Sequence, residues 1–174
     1  MKSLLTIFAV IVPAFAQEGP GELLVKHWKT SGAFTLAVAK AMPGESYDFR
    51  PTPEEMTFGQ LMAHIGGANL GACANASGLP KPEFPPKIAA YAKDTKLSVD
   101  RETVISFLTD SFDFCNKAVA AMTLDRMHAV VGPPARNLTA FEWQWSYFTH
   151  TAHHRGQAEV YLRLKGIKPP DYKF

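Results

Sequence analysis

The sequence predicts an all-α protein, a four-helix bundle with a long proline-rich crossover between its second and third helices. Two observations predict this fold class. Apolar residues recur at steps of three and four residues in four long segments, which is the period of an amphipathic helix. No segment between turn signals alternates apolar and polar residues over any length, so no sheet is predicted.

The first helix is predicted over residues 23–42, and the Pro-Gly pair at 43–44 ends its apolar pattern. The second helix begins at a capping box, in which the Thr57 hydroxyl and the Gln60 side chain each satisfy an otherwise unpaired backbone amide. It is predicted to run to about Ala76.

Residues 79–86 read LPKPEFPP, and the four prolines forbid regular helix and predict a stiff, extended crossover. Ser98 is predicted to cap the third helix, whose apolar face ends near Met122. Thr139 and Glu142 form a second capping box, which opens the last helix. Short connections elsewhere predict that helices adjacent in sequence are antiparallel neighbours.

Residues 1–16 have the zones of a secretory signal peptide: a basic start at Lys2, an apolar core over 4–12 and Ala-Phe-Ala over 14–16. The remaining residues, 17–174, have the length of one domain. The apolar core is too short for a membrane span, which needs about 20 residues. We therefore expect an exported protein, periplasmic or secreted, that is not membrane-bound after cleavage; a retained anchor helix is the alternative.

The charge balance argues against nucleic acid as a partner. The chain has 18 basic and 16 acidic residues, and cleavage of the signal peptide would remove one basic residue, Lys2. The net charge of the remaining chain is then about +1, and its basic residues form no cluster. In an oxidising compartment Cys73 and Cys115 either pair or remain two small buried hydrophobic residues. A homodimer formed through an outer helix face is a further open prediction.

Three of the six histidines, His150, His153 and His154, lie close together in the predicted last helix. His150 and His154 are about 40° apart around the helix and roughly 6 Å apart along it, so their rings can converge. They belong to the inward seam of that helix, which comprises Trp143, Tyr147, His150, His154, Gln157, Tyr161 and Leu164.

His64 faces inward on the second helix, on a stripe with Leu61 and Ala68. Together with His150 and His154 it would supply three ligands to a metal ion and leave a fourth position open, as in catalytic zinc sites. A hydrogen-bonded core network without metal is the alternative that the residues leave open.

Two segments, TFGQLMAHIGGAN (residues 57–69) and HTAHHRGQAEVYLRLKGIKPPDY (residues 150–172), resemble the DinB-like (DinB/YfiT-like) superfamily. The resemblance implies an up-down-down-up four-helix bundle whose second and third helices run parallel. It also implies a divalent metal ion, zinc or nickel, bound by His64, His150 and His154. His153 is then a residue that lines the site.

The resemblance further implies an enzyme, because the better-understood family members are transferases that use low-molecular-weight thiols. An exported protein would lie outside the cytosolic thiol pool. We therefore expect a metal-dependent hydrolase or a thiol transferase, whose small-molecule substrate is unknown. The alternative is a non-enzymatic bundle that binds a metal or a small molecule. Gln157 either orients a ligand or bonds to a neighbouring helix, and Arg155 is predicted to lie at the solvated surface.

Overall fold

The computed structural model describes residues 20–94 and 96–173, which are mostly helical. In chain order the helices are α1 (Pro20–Ala41), α2 (Phe58–Ser77), the short α3 (Pro86–Tyr91), α4 (Arg101–Ala120), the short α5 (Leu124–His128) and α6 (Ala140–Leu164). None of the helices in these ranges is long and apolar enough to cross a bilayer. The predicted signal peptide lies outside the described residues.

The four long helices form a bundle in which α1 and α2 lie across from each other. Each of them packs chiefly against both α4 and α6. The expectation that sequential helices are neighbours is therefore wrong for α1 and α2, and it is wrong for α4 and α6, which also lie across from each other. Residues 42–57, which include a 3₁₀ turn at Gly44–Ser46, are long enough to cross the end of the bundle. Tyr47 is buried in this connection, where its hydroxyl donates to the Ala39 carbonyl at 2.8 Å.

Helices α2 and α4 run parallel and are covalently joined. Gly66 packs against Phe107, and further along both helices Cys73 forms a disulfide with Cys115, with the Cα atoms 5.3 Å apart. The sequence left this pairing open, and the structure contains it. The bridge spans 42 residues, and closing a loop of that length stabilises the fold by about 4 kcal/mol through the unfolded chain.

Helix α6 runs antiparallel to α2. The Thr151 hydroxyl donates to Asn69 Oδ1 at 3.0 Å, and further along α6 the Tyr161 hydroxyl donates to the Met56 carbonyl at 3.1 Å. Residue numbers therefore rise along α6 as they fall along α2. The predicted inward seam of α6 is correct only in part, because Trp143 and Tyr161 are buried whereas Leu164 is 58% exposed. The buried face of α6 also includes Gln144, Thr151, Arg155, Ala158 and Leu162.

Arg155 joins α6 to α1. The side chain is only 6% exposed, and its Nη1 donates to the Ser31 hydroxyl at 3.0 Å. The guanidinium lies over the Phe34 ring, 4.5 Å from its centre. The prediction of a solvated Arg155 is wrong, because α6 directs this long side chain toward α1. Trp28 contacts Phe148 between the same helices, so α1 and α6 run parallel and the implied up-down-down-up bundle is confirmed.

Both predicted capping boxes are present, at the starts of α2 and α6. The predicted cap at Ser98 is wrong. Asp100 caps α4 instead, because its carboxylate accepts the Thr103 amide at 2.8 Å. The same carboxylate pairs with Lys87 at 2.7 Å, which connects the start of α4 to α3.

A short antiparallel ladder precedes α6, formed by β1 (Val130–Val131) and β2 (Leu138–Thr139). The expectation of no strand is wrong in this detail, because two-residue strands are too short to show a period. The crossover over residues 78–85 carries neither helix nor strand, as predicted, and α3 follows it.

Candidate metal centre

Two capped helices bring three histidines together. His64 lies in the second turn of α2, and His150 and His154 lie one turn apart in α6. Because α2 and α6 pack directly against each other, these side chains meet at one point of the interface. The structure thus brings together the three residues that the sequence predicted as ligands.

The three imidazoles converge through their Nε2 atoms. His64 Nε2 and His154 Nε2 each lie 3.1 Å from His150 Nε2. Two nitrogens bound to one zinc ion at the usual distance would be about 2.9 to 3.4 Å apart, depending on the coordination angle. The separations to His150 fall within that interval, so the three residues fit a metal ion.

The protons of the cluster support the same conclusion. Gln157 Oε1 lies 2.7 Å from His154 Nδ1, and because an amide oxygen only accepts, Nδ1 carries the proton. His154 Nε2 therefore presents a lone pair to its neighbours. His150 Nε2 holds at most one proton, which cannot serve both contacts. A cation would satisfy the cluster if His64 and His150 also present unprotonated Nε2 atoms, because it accepts all three lone pairs at once.

Electrostatics keep these imidazoles neutral. Burial, followed by the charges of His154, His64 and His153, lowers the pKa of His150 from 6.5 to about 4. Burial is also the main cause that lowers the pKa of His64 and of His154, although the hydrogen bond that His154 donates to Gln157 opposes it at His154. Neutral imidazole is the form that binds metal, so the cluster is ready for metal at neutral pH.

The cluster is open on one side. His64 was predicted to face inward, but it is exposed at the edge of the α2–α6 interface, whereas His150 and His154 are half-buried. The interior side is polar as well as apolar, because Asn69 and Thr151, both fully buried, bond to each other there. Small molecules can therefore reach the three nitrogens from the His64 side.

The other residues named from the sequence lie around the cluster. His153 is exposed, with its ring centre 4.9 Å from that of His154, and it does not belong to the converging group. The Tyr147 ring lies 5.3 Å from the His150 ring, and its hydroxyl accepts a hydrogen bond from Arg136 at 3.1 Å.

Two further residues have structural roles. Glu142 is held by the capping box at Thr139, as the sequence predicted. Trp28 is fully buried in the core. Within the ranges described, the cluster of potential metal ligands contains no carboxylate.

A cavity of about 350 Å³ adjoins the cluster, and His64 forms part of its wall. One wall is a stripe of α2, and the other consists of the crossover and α3. The described residues that line it are Met56, Gln60, Ala63, His64, Gly67, Ala68, Phe84, Ile88, Tyr91 and Ala92.

Sequence reasoning missed this second wall and the role of Gln157. The one available signal for the wall was Phe84, an aromatic residue amid the prolines of the crossover, followed by the apolar Ile88 and Tyr91. Gln157 was assigned to ligand binding or to a neighbouring helix. It instead orients His154 on its own helix, at a spacing of three residues.

Comparisons with known proteins agree with this fold. A family model described as the DinB superfamily matches residues 27–158. A DinB-like protein from Bacillus subtilis has a similar structure, with a TM-score of 0.68 and 15% identity, over 86% of this chain and 96% of that chain. A DinB-like protein from Bacillus cereus gives a TM-score of 0.69 at 18% identity, over 86% of this chain and 95% of that one.

A third similar structure is that of a proposed DinB family member from Exiguobacterium sibiricum, with a TM-score of 0.60 and 18% identity over 88% of this chain and 95% of that chain. Curated protein sequences yield no match. At such low identities the structures establish the fold alone.

Proposed function

The chain belongs to the DinB superfamily, and we propose that it is an exported, metal-dependent hydrolase. Its divalent ion, zinc or nickel, is held by His64, His150 and His154. The observation that carries this proposal is the convergence of three neutral imidazoles. The Nε2 atoms of His64 and His154 each lie 3.1 Å from His150 Nε2.

A divalent ion bound there would supply Lewis-acid chemistry, by polarising a substrate carbonyl and acidifying water. The protein's own contribution is to fix the three nitrogens. Gln157 holds His154 in the tautomer that presents Nε2, and the capping boxes fix where α2 and α6 begin. Such fixed orientation of ligands is what tunes metal affinity.

Hydrolysis is preferred over thiol transfer because of the expected location. The predicted signal peptide over residues 1–16 would remove the protein from the cytosolic thiol pool. N-terminal sequencing of protein recovered from the periplasm or the medium tests this part, and we expect the mature chain to begin at Gln17. Recovery of the uncleaved chain in the cytosol would contradict it.

The reaction class is tested with zinc- and nickel-loaded protein and panels of esters, amides and thiol acceptors, with and without glutathione. We expect turnover of an ester or amide that does not need thiol and that His150→Ala abolishes. His128→Ala, an exposed histidine at the end of α5, is the matched control and should retain turnover. Turnover that appears only with thiol would instead support a transferase, and the absence of any turnover would support a binding protein.

A further inference from the structure

The cavity beside His64 lies between two elements that are distant in sequence. Its α2 wall is formed by residues at helical spacing, from Gln60 to Ala68, and its other wall by the crossover and α3. At about 350 Å³ it falls within the range of small-molecule binding pockets, about 300–1,000 Å³. Its size therefore suits part of a small molecule.

The walls of this cavity are firmly held. Phe84 packs edge-on against Phe107, with ring centres 5.2 Å apart. The Lys81 ammonium group lies over the Phe84 ring, 4.7 Å from its centre. Gly67 lets Phe84 approach α2, because an added Cβ would be 3.2 Å from Phe84 Cζ. Ile88 and Tyr91, which continue this wall, are both buried.

The chemistry of the lining is almost entirely apolar. Among the described residues that line it, His64 has the one basic side chain and none is a carboxylate, whereas Tyr91 contributes a buried hydroxyl. The amide of Gln60 is already used, because its Oε1 accepts the Thr57 amide at 2.7 Å in the capping box. Such walls stabilise non-polar groups by removing them from water. They offer no charged partner to a phosphate or to another charged group of a ligand.

We propose that this cavity binds the non-polar part, alkyl or aryl, of the substrate, whose polar reacting group lies at the metal centre. The inference rests on the proposed function, since it assigns the substrate class to that same site. The juxtaposition that carries it is His64, which belongs both to the cluster of three histidines and to the cavity wall. The substrates are then esters or amides of apolar acids rather than sugars, nucleotides or small hydrophilic acids.

The test uses hydroxamates as probes, because their head group binds metal and their alkyl chain can be lengthened without changing it. Acetohydroxamate, butyrohydroxamate, hexanohydroxamate and octanohydroxamate would be titrated calorimetrically into the mature zinc-loaded protein. Affinity should rise by roughly fourfold for each methylene that enters the cavity. With alanine methyls isotopically labelled, octanohydroxamate should shift the NMR signals of Ala63, Ala68 and Ala92, but not that of Ala33.

Two variants fill the cavity from opposite walls, Ala68→Leu on α2 and Ala92→Leu after α3. Each should lower the affinity for octanohydroxamate at least tenfold while leaving zinc content and acetohydroxamate affinity unchanged. Ala33→Leu, at an exposed position of α1, is the control and should bind the whole series as the wild type does. Unchanged zinc content and acetohydroxamate affinity in each variant show that it is folded.

The outcomes separate the two proposals. If zinc-loaded and zinc-free protein bind acetohydroxamate equally poorly, the metal centre is wrong and this inference falls with it. If acetohydroxamate binding requires zinc but affinity does not rise with chain length, the metal centre stands and the cavity assignment is overturned. A rise with chain length that both cavity variants retain would also overturn it.

Discussion

Helix α2 has two interfaces that are built in opposite ways. Toward α4 it is apolar, closely packed and covalently fixed, with Gly66 against Phe107 and the Cys73–Cys115 disulfide. Toward α6 it combines apolar contacts, such as Phe58 with Tyr161, with hydrogen-bonding groups that include the three converging imidazoles and the buried Asn69–Thr151 bond.

The difference explains how a polar cluster persists inside a small bundle. Grouping imidazoles in a partly buried site costs free energy unless a partner accepts their lone pairs. The α4 side supplies stability that does not depend on such a partner, so α2 can hold His64 in position before any metal binds. We infer that the α4 interface stabilises the fold and that the α6 interface carries the chemistry.

The largest expected effect concerns the disulfide. Replacing both cysteines, Cys73→Ala with Cys115→Ala, should lower the free energy of unfolding by about 4 kcal/mol, because the unfolded chain regains the freedom of the 42-residue loop. Urea denaturation of the metal-free protein measures it. If the folded fraction of the variant still binds metal stoichiometrically, the two interfaces are separable as described. A loss below about 1 kcal/mol would contradict the role assigned to the α4 side.

A smaller effect is expected at the glycines of α2. A Cβ at Gly66 would lie 2.9 Å from the Phe107 ring, whereas a Cβ at Gly71 would have nothing within 4 Å. Gly66→Ala and Gly71→Ala gain the same helix propensity, so their difference isolates the close packing on α4. Gly66→Ala should be less stable than Gly71→Ala by about 1–3 kcal/mol in urea unfolding. Equal stabilities would mean that the α4 interface is not closely packed.

The smallest effect expected is on the α6 side, in the pH dependence of the metal-free protein. The pKa of His150 is lowered from 6.5 to about 4 in the fold, so between these values the unfolded chain holds more protons than the folded one. Stability should therefore fall as the pH falls through this window and be insensitive to His150 above it.

Urea unfolding at about pH 7 and about pH 5, after removal of metal by a chelator, measures this dependence. His150→Asn removes the titrating group and should lose less stability between the two conditions than the wild type. The same loss in both proteins would show that His150 does not cause the dependence.

Much of the bundle was predictable from local sequence, and its arrangement was not. The capping boxes at Thr57 and Thr139 give correct helix starts, because caps depend on residues three positions apart. Spacing along one helix cannot tell which helices pack together, so α1 and α2, and likewise α4 and α6, were wrongly expected to be neighbours. The parallel α2–α4 pair followed from the family resemblance rather than from the helical pattern.

The site shows the same division between local and distant information. His150 and His154 could be paired from their spacing, and His64 from its place on an inward stripe. Burial of Arg155 was missed, because its partners Ser31 and Phe34 lie on a distant helix. The apolar cavity was missed for the same reason, since one wall lies on α2 and the other is formed by the crossover and α3.

The central claim, that three histidines from two helices bind one metal ion, is tested most directly by elemental analysis of the mature protein purified without a histidine tag. We predict about one equivalent of zinc or nickel in the wild type and in His153→Ala, whose side chain lies outside the cluster. His64→Ala should lose most of the metal and, with it, the increase in melting temperature that metal confers. Stoichiometric metal that His64→Ala leaves unchanged would contradict the claim.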